Sequence, residues 1–358
     1  MPARRSKALL DALAIVAPGQ WLREGLDRIS KASMGALIVV GDGPEVLNIC
    51  SGGFLLDAAF SPQRLSELAK TDGAIILASD ASRIARANVH LVPNPNVPTS
   101  ETGTRHRTAE RVARSIGVPV ITVSEDMAVL TVYMHDEKYQ LEPIPAILSR
   151  CNEALQTLER YRQRLDEVST TLAALEIQDL VTVRDVVILL QRIELVLRIA
   201  EEIEQYLVEL GTDGRLVRLQ LRELMRGVED DRRQLVLDYF RPDASWNLEQ
   251  AMGTLSDLEI EQLLAPEAVA EALHISEDNT DVDASVQPRG YRMLSKVPRL
   301  SSDMINAIVD EFQTLDKLMR ATVDDLSAVR GVGEPWALSI KDALGRIAES
   351  SILDRYHH

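Results

Sequence analysis

Cysteine is almost missing from this 358-residue chain, with Cys50 and Cys151 the only two. Two cysteines cannot build a disulfide framework, and without a CxxC pair they offer no zinc site. A reducing, cytoplasmic compartment fits such usage. No uncharged apolar run approaches the length of a membrane span, so no membrane partner is expected. Asp11 interrupts the one apolar stretch near the amino terminus and Pro18-Gly19 ends it, which argues against a secretory signal. Familiar nucleotide and hydrolase signatures are missing too. There is no G-x-x-x-x-G-K-[ST] loop, no G-x-G-x-x-G opening a helix, and no G-x-S-x-G elbow. Only four histidines lie away from the carboxyl end.

What is present is an ordinary globular composition, 46% apolar and 26% charged, which excludes wholesale disorder. The length suggests two to three domains. The net charge of −16 is unevenly spread. Residues 1–140 carry 15 basic and 15 acidic side chains, residues 141–290 carry 15 against 30, and residues 291–358 carry 9 against 10. The middle repels polyanions, so any nucleic acid must be met at one of the ends.

The pattern divides the same way. Ala36-Leu-Ile-Val-Val40, Ala74-Ile-Ile-Leu-Ala78 and Val118-Pro-Val-Ile-Thr-Val123 read as buried strands, separated by helices over Arg64–Lys70 and Thr108–Ile116. That alternation predicts an α/β domain, taken as residues 1–145. From Cys151 to Leu175 and from Leu189 to Leu210, apolar residues step by three and four, predicting long helices in a bundle or spine over 146–290. The polar stretch from Glu277 to Pro288 reads as a linker. Residues 291–352 then predict short helices with turns between them. One turn is Gly331-Val332-Gly333; the other, Val297-Pro-Arg-Leu300, lacks the Gly-x-Gly signature.

Three clusters carry candidate chemistry. Gly103-Thr104-Arg105-His106-Arg107-Thr108 precedes a predicted helix, where free amides, two guanidinium forks and an imidazole suit phosphate oxygens. A solvated basic face around a core histidine would use the same residues. Asp72-Gly73-Ala74 sits between a helix and a strand, where a carboxylate can ligate Mg²⁺ or assist a hydroxyl, or simply make a turn. Ser124-Glu125 ends a strand, a place where α/β sheets put ligands. At the carboxyl end, Gly331, Val332 and Gly333 could let a phosphate backbone approach, with Lys341 adding charge; a plain helix stop would look alike.

Taken together, Asp72-Gly73-Ala74, Gly103-Thr-Arg-His-Arg107 and Ser124-Glu125, with Ser51-Gly-Gly-Phe54 and Ala87-Asn-Val-His-Leu91 around them, resemble the nucleotidyltransferase domain of bacterial diadenylate cyclases. Followed by a helical middle and a helix-hairpin-helix end, the full length is similar to the DNA-integrity-scanning branch of that family. The resemblance implies condensation of two ATP into cyclic di-AMP with release of two pyrophosphates, at an interface where two cyclase domains face each other. It implies Asp72, Arg105, His106 and Arg107 as catalytic residues. Gly73, Ala74, Leu91, Gly103, Thr104, Thr108, Ser124 and Glu125 would join the same arginines and histidine in binding ATP. Asp72 and Glu125 would hold Mg²⁺ or Mn²⁺. It further implies a homo-octamer, activity modulated by branched or damaged DNA, and a cytoplasmic, nucleoid-associated location. The competing expectation is a DNA-binding scaffold that uses ATP as an allosteric ligand without turnover.

Overall fold

The structure, a computed structural model, describes residues 5–125, 129–241, 247–275 and 281–355. It divides into two compact units, one of residues 1–155 with 202–220, the other of residues 156–201 with 221–358.

The first unit is built on a mixed sheet of eight strands: β1 (Ala36–Val40), β2 (Cys50–Ser51), β3 (Phe54–Ala59), β4 (Ala74–Leu77), β5 (Arg83–Leu91), β6 (Val120–Val123), β7 (Leu130–Met134) and β8 (Glu137–Gln140). Their order is β2-β5-β4-β1-β6-β7-β8, with β3 also paired to β5. Among the described residues, β1 and β4 pair in parallel and the other pairings are antiparallel. Five helices accompany it: α1 (Lys7–Ile15), α2 (Trp21–Lys31), α3 (Pro44–Asn48), α4 (Pro62–Leu68) and α5 (Thr104–Ile116).

The continuous apolar runs follow from burial on both faces. Along β1, Ala36, Ile38 and Val40 enter one core with Leu9, Leu13, Leu26 and Leu65 from α1, α2 and α4. Leu37 and Val39 point the other way, into a second core with Ala109, Val112 and Ala113 of α5. The three strands expected from sequence are all present; β2, β3, β5, β7 and β8 are additions. The unit is completed by a distant segment. Arg5 donates to Glu209 at 2.5 Å and to the Tyr139 hydroxyl at 2.8 Å, and Val208 packs against the first core.

The helical pattern expected from Cys151 onward appears as α6 (Ile144–Gln178) and α7 (Val183–Leu210), followed by α8 (Arg215–Leu224), α9 (Val228–Tyr239), α10 (Leu248–Asp257), α11 (Ile260–Leu263) and α12 (Pro266–Leu273). The stretch expected to be a linker is pinned rather than free where it is described. The amides of Val183 and Arg184 donate to the carbonyls of Ala284 and Val282, and Arg184 pairs with Asp283 at 2.9 Å. Residues 276–280 lie outside the described residues.

The carboxyl-terminal helices are α13 (Tyr291–Ser295), α14 (Ser302–Phe312), α15 (Leu315–Arg320), α16 (Val323–Ala328) and α17 (Glu334–Arg355). They share one core with Ala173 and Ile177 of α6 and Leu237 of α9. Asp238 fastens this core: its carboxylate accepts the amides of Gly290 and Tyr291 at 2.7 Å and of Arg292 at 2.8 Å. Arg292 in turn reaches Glu176 at 2.7 Å, and the Tyr239 hydroxyl donates to Glu176 at 2.8 Å.

These helices contain a repeat whose first turn, Val297–Leu300, lacks the glycines of the second. Leu294, Val297, Ile305 and Ile308 are buried, and so are Leu326, Val329, Ala337 and Ile340, each thirty-two positions further on. Both copies turn with the same bonds, Val297 N to Leu294 O at 3.0 Å and Val329 N to Leu326 O at 3.2 Å. Where Gly331 takes φ of 87°, Arg299 takes 64°, so an arginine occupies the left-handed position that glycine fills in the second copy. Among the described residues, no helix is long and apolar enough to cross a membrane.

Candidate active site

Sheet register decides which end of each strand carries which residue. β1 and β4 are parallel, with Ile38 opposite Ile75, so Gly35 and Gly73 enter the sheet at the same end. β6 runs against β1 with Ala36 opposite Val123, so Ser124-Glu125 leaves at that end. β5 runs against β4 with Ala74 opposite Val89, which brings Leu91 there as well. Gly117, with φ of 74°, caps α5 and reverses the chain toward β6. The amino end of α5 therefore returns to the same edge, where the Arg105 guanidinium lies against Gly35 and His106 bonds residues of β6 and β7. One sheet edge gathers all three amino-terminal clusters.

The residues within those clusters have different surroundings. Asp72 is exposed in the turn before β4. Gly73 lies under the next strand: a Cβ there would come within 2.3 Å of the Asn88 carbonyl carbon and 2.4 Å of its Cα. Ala74 and Leu91 are buried in the core shared with α5, so their side chains face protein. Gly103 is the N-cap of α5, in extended conformation and without a side-chain cap, so the first amides of the helix are not closed off by one. Thr104, Arg107 and Glu125 are exposed. The Thr108 hydroxyl donates to the Thr104 carbonyl at 2.9 Å, and the Ser124 amide to the Val129 carbonyl at 2.9 Å.

His106 is held from behind. Its Nδ1 lies 2.8 Å from the Tyr133 hydroxyl and 3.2 Å from Thr122 Oγ1. The Tyr133 hydroxyl donates to Glu101 Oε1 at 3.0 Å, and Lys138 binds that same oxygen at 2.5 Å. Burial holds the imidazole below its ordinary titration range; Glu101 opposes that shift, while Lys138 and Arg105 add to it. For Glu101, burial works upward, but the Lys138 ammonium and the Tyr133 hydroxyl outweigh it and leave the carboxyl below its usual range. Burial, together with Glu101, pushes the Tyr133 phenol well above its own.

Sequence reasoning did not single out Gly35, Glu101, Thr122, Tyr133 or Lys138. A close approach by a guanidinium gives Gly35 its role, and nothing local announces that. Tyr133 and Lys138 lie on β7 and β8, which the pattern did not reveal. Glu101 stands two residues before Gly103 and could have been included with that cluster.

No group of three or more His, Cys, Asp or Glu side chains among the described residues is placed to hold a metal ion alone. Asp72 and Glu125 offer exposed carboxylates at one edge. Mg²⁺ and Mn²⁺ suit such a set, since hard cations are commonly held by one or two carboxylates with phosphate oxygens completing the sphere.

At the carboxyl end, Gly331 is open, with nothing within 4 Å of a built Cβ, while Val332 is buried and anchors the turn. The Gly333 carbonyl accepts the amides of Trp336 and Ala337, starting α17. The Lys341 ammonium is engaged within the protein, donating to the carbonyls of Met319 at 2.8 Å and Ala321 at 2.6 Å.

Comparison with known proteins gives two family matches. The model described as DisA bacterial checkpoint controller nucleotide-binding (DAC) matches residues 23–138, and that described as DisA bacterial checkpoint controller linker region matches residues 141–282. Among curated proteins, the DNA integrity scanning protein DisA of Parafrankia sp. is 54% identical over 345 residues, covering 96% of each chain. The protein of that name from Kineococcus radiotolerans is 52% identical over 358 residues, covering 99% of this chain and all of the other. That from Streptomyces coelicolor is 51% identical over 348 residues, covering 96% and 93%.

Proposed function

The chain belongs to the family of DisA bacterial checkpoint controllers and is a diadenylate cyclase, a nucleotidyltransferase; from that premise we propose that it joins two ATP molecules into cyclic di-AMP where two cyclase domains meet. The observation that carries this reading is the convergence of Asp72, Ser124-Glu125 and the amino end of α5 on one sheet edge. In each half-reaction a 3′-hydroxyl attacks the α-phosphorus of the other ATP, one P–O bond forms, the bond to pyrophosphate breaks, and the hydroxyl proton is lost. Asp72 assists that hydroxyl. Free amides at Gly103 and Thr104, with Arg105, His106, Arg107 and Thr108, hold the triphosphate and offset the charge that grows on leaving pyrophosphate. Gly73, Ala74 and Leu91 shape the adenosine side through the backbone, and Ser124 contributes on the phosphate side. Mg²⁺ or Mn²⁺, held by Asp72 and Glu125, would supply further charge neutralisation.

One subunit holds one ATP, so turnover requires a second copy. Phe54 and Leu55, 61% and 75% exposed on β3, give the apolar surface such a meeting needs. We assign residues 1–145 to the cyclase, 146–290 to the helical spine and 291–352 to a helix-hairpin-helix module within an octamer. Backbone phosphates of branched or damaged DNA would approach Gly331, Val332 and Gly333, at a cytoplasmic, nucleoid-associated location. Lys341 supports that turn by fastening α17 to the end of α15, and DNA binding modulates turnover.

The test is incubation with ATP and Mg²⁺ or Mn²⁺, with products identified by mass. Cyclic di-AMP that disappears in Asp72→Asn, with ATP binding and assembly retained, is the expected result. Intact ATP with folded, assembled protein and both metals tried would refute it and favour a scaffold that binds ATP without turnover.

A further inference from the structure

The donors and acceptors around His106 can be counted. Glu101 is ionised by its contact with Lys138, so it can only accept, and the Tyr133 proton must lie on the Tyr133–Glu101 bond. The Tyr133 oxygen then faces His106 Nδ1 at 2.8 Å with no proton of its own to give. Two bare lone pairs do not sit at that distance, so the proton between them belongs to Nδ1. Thr122 Oγ1, fully buried, flanks the same nitrogen at 3.2 Å. The opposite edge of the ring faces the start of α5, for a Cβ on Gly103 would lie 3.7 Å from His106 Cδ2, the carbon bonded to Nε2.

We propose that Tyr133, Glu101 and Lys138 are positioning residues for His106, fixing its proton on Nδ1 so that Nε2 alone is presented to the nucleotide. This rests on the cyclase reading of the site and adds to it a division of labour within the imidazole. Nε2 accepts when the ring is neutral and donates to phosphate when it is charged; the Tyr133–Glu101 chain then supports the cation. Arg105, Glu101 and Lys138 are the charged groups acting on the ring, and they do so in opposite senses.

Those senses give a readout that a merely structural role would not produce. In the pH profile of kcat/KM for ATP, Glu101→Gln removes the charge that favours the imidazolium and moves the His106 midpoint to lower pH. Tyr133→Phe keeps the buried ring but loses the hydroxyl, and turnover falls at least about tenfold, as when a functional histidine loses the partner that orients it. A Glu101→Gln midpoint that stays put or rises, or a Tyr133→Phe protein with wild-type rate and profile, would overturn the proposal. The tautomer is read separately from long-range ¹⁵N–¹H correlations of the imidazoles in the ATP-free full chain, assigned with His106→Gln. A proton on Nδ1 is expected; a bare Nδ1 overturns the proposal whether or not the protein cyclises ATP. Wild-type protein that makes no cyclic product would count against the cyclase reading alone, and the tautomer measurement would still decide this one.

Discussion

Replacing Gly73 by alanine separates two roles that a glycine beside a ligand edge can have. Its φ is not in the left-handed region, so the backbone tolerates a side chain, and the difficulty is purely one of space. The new Cβ would lie 2.3 Å from the Asn88 carbonyl carbon and 2.6 Å from the Val89 nitrogen. Carbon contacts settle at about 3.5–4.0 Å, so β4 and β5 must part by more than about 1 Å. Both obstacles are main chain, in a pairing already irregular between Ala74 and Ile76, and no rotamer change relieves them. Overpacking typically costs about 1–3 kcal/mol, and this site belongs at the top of that range. For a unit of this size 3 kcal/mol corresponds to a fall in Tm of about 6–12 °C. Thermal unfolding of wild type and Gly73→Ala checks the fall, and ATP binding measured below both transitions tests what remains. A variant that melts within about 1 °C of wild type yet fails to bind ATP would refute this reasoning, because the glycine would then be making room for the nucleotide and not for a strand.

Gly35→Ala has the opposite signature. Its Cβ would meet the Arg105 guanidinium, a movable group, so stability holds while Arg105 is displaced by an ångström or more, and turnover should fall by up to about a hundredfold; a fall in Tm with unchanged turnover would contradict this. Burial, reinforced by Glu176, raises the Asp238 carboxyl to about 7 against the pull of three backbone amides. A folded value above the unfolded one means the native state holds the proton more tightly. The stability contributed is therefore full below the ordinary carboxyl value of 3.8 and is lost as pH rises through 7. Denaturation midpoints should fall from about pH 4 to about pH 7 and level off above that, and Asp238→Asn should flatten that slope; an identical slope in the variant would show that another group sets it. Lys341→Met strips a charged donor from two carbonyls and should lower unfolding free energy by about 1–3 kcal/mol, read by denaturant titration; no change would mean the contact contributes nothing.

The parts of the fold that could be read from sequence are those whose burial is uniform. β1, β4 and β6 are short apolar runs because helices cover both faces, and α6 and α7 repeat apolar residues at helical spacing over many turns. β5 mixes Arg83, Arg86, Asn88 and His90 into its length, and β3 leaves Phe54 and Leu55 facing solvent, so neither shows the pattern of a strand between two cores. The site was legible where its chemistry is contiguous, in residues 103–108, and illegible where it depends on strands meeting in space. Tyr133 looks like one more core aromatic until its hydroxyl is traced to Glu101. Lys341 shows the reverse, a lysine that invites a phosphate in the sequence and bonds carbonyls in the structure. The turn at Val297–Leu300 reads in the sequence only as a degenerate counterpart of Gly331–Gly333, because Arg299 adopts a conformation that glycine would have announced.

The bond between Arg5 and Glu209 spans 204 positions and sets a timetable for synthesis. When Gln140, the last strand residue, leaves the ribosome, the sheet has all its strands, but the partner for Arg5 is still seventy residues away. At ordinary elongation rates that interval lasts on the order of 4–14 s. During it the nascent sheet stands open along the side that residues 202–220 will close, with the Arg5 guanidinium and the surface destined for Val208 exposed to whatever is nearby. Newly made chains are thus most vulnerable to mispairing before α7 is complete, and a fragment ending near residue 145 would be arrested in that open condition for good.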